Sequence, residues 1–222
     1  MKEKNMPSNK FFATNSDKRL HRWGFKDSGF ELIEEKSVTF SGDRYEVSGT
    51  VMPDFIPYIE SVLGIDFNKE DQIEPVDSKP TQPPNIDQAF LESLKESFDE
   101  DRYTLDDMER LIHSHGQETF KDVYKVLYNA IDRTVDLVFY PESESEVKKI
   151  VDLAVRFNIC LIPYGGGTNV TRALTIPENE NRTVVSIDMR RMSKIEWINK
   201  EDRRVCVQSG ITGGELIELL KQ

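Results

Sequence analysis

The hydrophobic and polar positions of this chain change period several times, and the changes divide it. Residues 1–17 are polar and without period, so segment 1–20 is expected to be a disordered tail. Residues 30–33 and 37–40 read as short strands joined by Glu34, Glu35 and Lys36, with turn residues over 41–44. Residues 55–63 place Phe55, Ile56, Ile59, Val62 and Leu63 at helical spacing, with Pro53 just before and Gly64 just after. Segment 68–86 holds Pro75, Pro80, Pro83 and Pro84 among acids and amides, a linker or extended arm. Residues 87–98 carry Phe90, Leu91, Leu94 and Phe98 on one helix face, and further helices are expected over 104–114 and 119–130.

A different pattern begins at Asp132. Residues 135–140 form an apolar strand ended by Pro141. Ser143 and Glu146 have the spacing of a capping box, and Val147, Ile150, Val151, Ala154 and Val155 follow at helical spacing up to Asn158. Strands are expected over 159–162 and 183–187, then a hairpin of 195–198 and 204–207 turned at Lys200, Glu201 and Asp202. Thr212 and Glu215 make a second capping box. The helix they open keeps its period to residue 222 without a C-cap, so a partial chain is expected. The fold class is α+β. It comprises the tail 1–20, a mixed and helical region 21–131 with its Pro-rich linker, and 132–222, the first part of a domain built from a small sheet flanked by helices.

The chemistry gathers between two of these strands. Gly165, Gly166 and Gly167 follow an apolar strand and precede Thr168 and Asn169. Glycine lets another group approach the backbone, and consecutive glycines can expose a row of N–H donors that suits phosphate oxygens. A P-loop would require Gly-Lys-Ser/Thr, which is absent here. A Rossmann turn would open a helix directly, but the chain runs through Thr171–Leu174 to Pro177 instead. On the loop alone, an anion cradle and a plain surface turn stay open as alternatives. The second glycine-rich element, Gly210, Gly213 and Gly214 at a helix start, favours the cradle, because helix N-termini attract anions.

Composition removes other classes. A net charge of −11 argues against a nucleic-acid partner, which would need a basic face. Cys160 and Cys206 lie in apolar runs and are expected to be buried free thiols in a reducing compartment. No apolar stretch is long enough to cross a bilayer, residues 1–5 lack the apolar region of a secretory signal, and Leu220-Lys221-Gln222 is not a Ser-Lys-Leu address. His113 and His115 stand at i and i+2 and share no helix face, so a solvated helix end is expected and no metal site. The acidic runs 99–101 and 142–146 read as solvated charges at helix entries.

Residues 163–170, Pro-Tyr-Gly-Gly-Gly-Thr-Asn-Val, resemble the pyrophosphate loop of FAD-binding domains of the vanillyl-alcohol oxidase and p-cresol methylhydroxylase type. The segment 184–188, Met192 and the segment 207–213 resemble the alkyldihydroxyacetonephosphate synthase (alkylglycerone-phosphate synthase) family, as do the upstream segments 23–28 and 42–49. The resemblance implies FAD as cofactor, bound through Pro163, Tyr164, Gly165, Gly166, Gly167, Thr168, Asn169 and Val170. It implies that acyl-dihydroxyacetone phosphate and a fatty alcohol are substrates, exchanged without net redox change in ether-lipid biosynthesis. It further implies a peroxisomal homodimer in peripheral contact with a membrane. The family carries Ser where this chain has Asn169 and Ala where it has Ser209. Its catalytic cap has no counterpart in these residues, so no catalytic residue is carried over, and Gly210 and Thr212 are expected near the flavin without being assigned as sites. Two other readings stay beside it: a piece of another flavoprotein oxidoreductase of the same superfamily, and a non-catalytic partner subunit.

Overall fold

The computed structural model describes residues 25–34, 36–42, 45–68, 82–116 and 119–221. The expected tail 1–20, Trp23 and Gly24, the Asp43-Arg44 turn and linker residues 69–81 lie outside the described residues. The chain divides into two compact units, residues 1–77 and 78–222.

In the first unit, β1 (Gly29–Leu32), β2 (Val38–Ser41) and β3 (Val51–Met52) form an antiparallel sheet in that order. Helix α1 (Phe55–Leu63) matches its sequence pattern, and Gly64 ends it at φ +66°, with its N–H donating to the Glu60 carbonyl. The sheet and helix meet through aromatic rings: Phe30 stacks on Phe55 at 5.3 Å and meets the edge of Phe40 at 4.9 Å.

The second unit carries α2 (Gln88–Ser97), β4 (Tyr103–Thr104), α3 (Asp107–Ile112), α4 (Phe120–Leu127), β5 (Leu137–Phe139), α5 (Glu144–Phe157), β6 (Cys160–Tyr164), β7 (Val184–Asp188), β8 (Ile195–Asn199), β9 (Arg204–Val207) and α6 (Gly213–Leu220). Its main sheet has the order β4-β5-β7-β6, with β5, β7 and β6 parallel and β4 antiparallel at the edge. Side chains alternate across it. Leu137, Phe139, Val185 and Ile187 pack with Phe90, Leu94 and Phe98 and with Ile150, Leu153 and Ala154, so α2 and α5 cover one face. Val138, Ile162, Tyr164 and Val184 pack with Val135 and Leu174 on the other. All five residues of β7 are buried, as befits a strand covered on both sides.

The expected limit at 131/132 is not a break between compact units. That break falls at 77/78, because α2 packs on the sheet and β4 pairs with β5. The Asn85 amide donates to Asp136 Oδ1 at 2.8 Å and the Asp87 amide to Thr183 Oγ1 at 2.8 Å, so the chain reaches α2 already tied to β5 and β7. The helix expected over 104–114 is shorter. Tyr103 and Thr104 pair with Phe139 and Val138, and Asp106 caps the helix by accepting from the Met108 and Glu109 amides. The Ser143 box is half formed: Ser143 accepts from the Glu146 amide, but the Glu146 carboxylate takes the Glu142 amide. The Thr212–Glu215 box is complete. Cys160 and Cys206 are free and half-buried rather than buried; burial first, then Glu180, pushes the Cys160 thiol up.

Candidate functional site

Strands β6 and β7 run parallel and end level, with Tyr164 opposite Asp188. Two connections therefore leave the same edge of the sheet. The triple-glycine loop follows Tyr164, and a 3-10 turn, Met189–Arg191, follows Asp188. Ligands of open parallel sheets sit beyond the carboxyl ends of the strands, which is where both connections lie.

The loop is anchored from beneath. Tyr164 is buried, and Gly167, at φ +72°, lies so close to its phenol that a Cβ would fall on the ring. Asn169 is buried at φ +57°; its Nδ2 donates to Asp122 Oδ2 at 3.0 Å, and its Oδ1 accepts from the Leu174 amide at 2.8 Å. The side chains of Tyr164 and Asn169 are thus supports, and only their backbone is left to meet a ligand. Pro163, Gly165, Gly166, Thr168 and Val170 face outward over an open depression of about 200 Å³.

Gly165 and Gly166 differ from Gly167 in kind. Neither has a left-handed φ, and a Cβ at Gly165 would meet nothing within 4 Å, while one at Gly166 would meet only Thr168 Cγ2 at 3.9 Å. The fold itself gives no reason for glycine there. Among the described residues the amides of 165–168 have no backbone acceptor, and these four residues line the depression. An incoming pyrophosphate supplies both the acceptors and the reason for two missing Cβ atoms. The residues therefore fit the group that the loop's sequence implies.

The second glycine-rich element is tied to the same edge. Gly210 packs so tightly on the Met189 carbonyl that a Cβ has no room, and its N–H donates to the Met192 carbonyl at 2.8 Å. Thr212 then caps α6.

A buried polar cluster lies on the sheet face beneath the loop, and the sequence pattern missed it. His113 and His115 are buried, not a solvated helix end. His113 Nε2 stands 2.7 Å from Asp188 Oδ2, and its Nδ1 stands 2.7 Å from the Glu109 carbonyl oxygen. Its ring lies 4.3 Å from the Tyr164 ring, centroid to centroid. Arg190 reaches Asp188 with Nε and Nη2, at 2.9 and 2.5 Å from Oδ2. Tyr140 donates its hydroxyl to Glu109 Oε2 at 2.8 Å; burial first, then that bond, pushes the phenol up. The available signal was Asp188 itself, a carboxylate ending an otherwise buried strand. No group of His, Cys, Asp and Glu suited to a metal occurs among the described residues. The acidic runs are ion-paired as well as solvated: Arg102 joins Asp101, Glu142 and Glu146, and Arg191 joins Asp101 and Glu142.

Burial would raise the Asp188 carboxyl, but hydrogen bonds from His113 and Arg190 and the Arg190 charge outweigh it and hold it at about 2. Its folded value lies below its unfolded one, so the stability it contributes is full above about pH 4 and is lost as pH falls toward 2. The contribution is on the order of 2 kcal/mol. Acid unfolding followed by circular dichroism should therefore show Asp188→Asn losing less stability than the parent between pH 4 and 2, from a lower starting value.

Residues 135–222 match the FAD binding domain family. The chain is 38% identical over 194 residues to an alkyldihydroxyacetonephosphate synthase of Caenorhabditis elegans, covering 87% of this chain and 32% of that protein. It is 34% identical over 188 residues to one of Dictyostelium discoideum, covering 81% and 30%. A mitochondrial D-lactate dehydrogenase (cytochrome) of Arabidopsis thaliana is 32% identical over 123 residues, 55% of this chain. A solved alkyldihydroxyacetonephosphate synthase structure superposes with a TM-score of 0.74 at 29% identity, covering 93% of this chain and 39% of that one. Residues 135–222 have the fold of an FAD-binding domain, and FAD is the cofactor it takes. Within that class the chain is related to the alkyldihydroxyacetonephosphate synthases, of whose curated length it spans about a third.

Proposed function

We propose that these residues supply the pyrophosphate-holding part of an alkyldihydroxyacetonephosphate synthase. In this reading the enzyme acts in ether-lipid biosynthesis, replacing the acyl chain of acyl-dihydroxyacetone phosphate with a long-chain fatty alcohol and releasing a fatty acid. The observation that carries the reading is the donor row of 165–168, with its two glycines that the fold does not require. Bound FAD would supply the reactive flavin ring. This chain's residues hold its pyrophosphate: Gly165, Gly166 and Thr168 donate from the backbone, Gly167 turns the chain, and Tyr164 and Asn169 fix the turn from below. A peroxisomal, membrane-associated homodimer is part of the same proposal.

The oxidoreductase alternative is weaker. Similarity to the synthases extends over 194 residues, more than residues 135–222 can supply, whereas the D-lactate dehydrogenase match covers 123. The upstream residues are thus shared with the synthases to a greater extent.

The 222-residue chain alone is expected to bind FAD weakly and to show no acyl-for-alkyl exchange. Its cradle meets one part of the cofactor, and those few contacts must overcome the entropy lost on binding. Titration of the purified chain with FAD, followed by flavin fluorescence, together with an exchange assay, tests this. Tight stoichiometric binding with exchange would overturn the incomplete-site reading.

A further inference from the structure

Asp188 stands between the two glycine-rich elements and touches a support of each. Toward the triple-glycine loop it holds His113, whose ring packs on Tyr164, and the Tyr164 phenol fills the space under Gly167. Toward the other element its Oδ1 accepts from the Arg190 amide at 3.0 Å and so caps the 3-10 turn Met189–Arg191. Gly210 seats on that turn, and Thr212 opens α6 two residues later.

Stability alone does not require a charge in place of an apolar side chain here. Val184, Val185 and Ile187 of the same strand are apolar and buried, and a buried ion pair is commonly no more stabilising than an apolar replacement of its volume. What an apolar residue at 188 could not do is fasten His113 on one side and the Met189–Arg191 turn on the other. The His113 ring lies between two fixed oxygens, the Glu109 carbonyl at Nδ1 and the Asp188 carboxylate at Nε2, and is held in one orientation.

We propose that the Asp188–His113 pair is a positioning device that keeps the triple-glycine loop and the Gly210 turn in the relative placement FAD requires. The proposal rests on the FAD reading of the loop. Neither residue touches the cofactor; both act through Tyr164 and the Met189–Arg191 turn.

The test uses the full-length protein that contains these residues and FAD itself as probe. FAD dissociation constants are measured by fluorescence well below the melting temperature. Asp188→Asn keeps the shape and loses the charge; His113→Leu loses the bond; His113→Gln retains an N–H that can reach Asp188. Asp188→Asn and His113→Leu should each weaken FAD by about tenfold or more, or ~1.4 kcal/mol. The double variant should be little worse than either single one, because both break one interaction. His113→Gln should restore most of the affinity. Leu94→Ala, in the core on the opposite face of the sheet, should lower the melting temperature and leave the affinity unchanged.

Parent-like affinity in Asp188→Asn and His113→Leu overturns the proposal, and so does equal weakening in Leu94→Ala, which would make the effect one of general stability. If Asp188→Asn does not fold, the contrast between His113→Leu and His113→Gln decides by the same criterion. Gly166→Val separates the two levels. Loss of FAD there with parent-like binding in Asp188→Asn sinks only the positioning role, whereas a parent protein that binds no FAD sinks the cofactor reading as well.

Discussion

Replacing Gly166 with valine should abolish FAD binding in the full-length protein while leaving its fold intact. The backbone at 166 is outside the left-handed region, and a Cβ there would meet only Thr168 Cγ2 at 3.9 Å. The protein can therefore accept the side chain. The cofactor cannot, because the added methyl groups stand where phosphate oxygens must approach the amides of 165–168. Affinity should fall roughly 100-fold or more, or ~2.7 kcal/mol. A plain surface turn would give the opposite result, a variant purified with its normal flavin. Flavin absorbance and the melting temperature of the apoprotein, measured side by side, decide between them.

The neighbouring substitution should behave in reverse. Gly167→Ala should destabilise the protein itself, with or without FAD. The residue sits at φ +72°, where an L side chain costs about 1–3 kcal/mol. The added Cβ also falls on the Tyr164 phenol, and overpacking of that kind costs about 1–3 kcal/mol more. Tyr164 cannot retreat easily, since its ring is packed against His113 and Leu174 lies in the same buried cluster. The apoprotein should melt lower by at least about 4 °C. Scanning calorimetry of the two apoproteins would check it: a Gly167→Ala variant as stable as the parent would mean that the loop is not anchored through Tyr164. Two glycines one bond apart thus answer to different constraints, one imposed by the cofactor and the other by the fold.

Much of the local structure was legible because it depends on neighbours in sequence. Helix α1, the hairpin β8–β9 and the Thr212–Glu215 box follow from spacing, caps and turns within a few residues. What depends on distant partners was not. The packing of residues upstream of 132 on the sheet was not legible, because nothing near residue 85 announces that its amide will bond Asp136. The expected helix over 104–114 lost its first turn to a strand pairing with β5. His113 read as a solvated residue because its partner, Asp188, lies 75 positions away. The candidate segment 163–170 stood out by its glycines, yet its division of labour was not legible. Sequence treats Tyr164 and Asn169 like their neighbours, and only the fold turns their side chains inward while Gly165 and Gly166 remain open.

The proposed function rests on the backbone of this loop binding the FAD pyrophosphate. Amide hydrogen exchange of the full-length protein, with and without FAD, tests it most directly. Peptides spanning 163–170 report on amides that have no backbone acceptor among the described residues and should exchange quickly without cofactor. FAD should slow exchange at Gly165, Gly166 and Thr168. Unchanged exchange across 163–170, with FAD bound and protection appearing elsewhere, would contradict it.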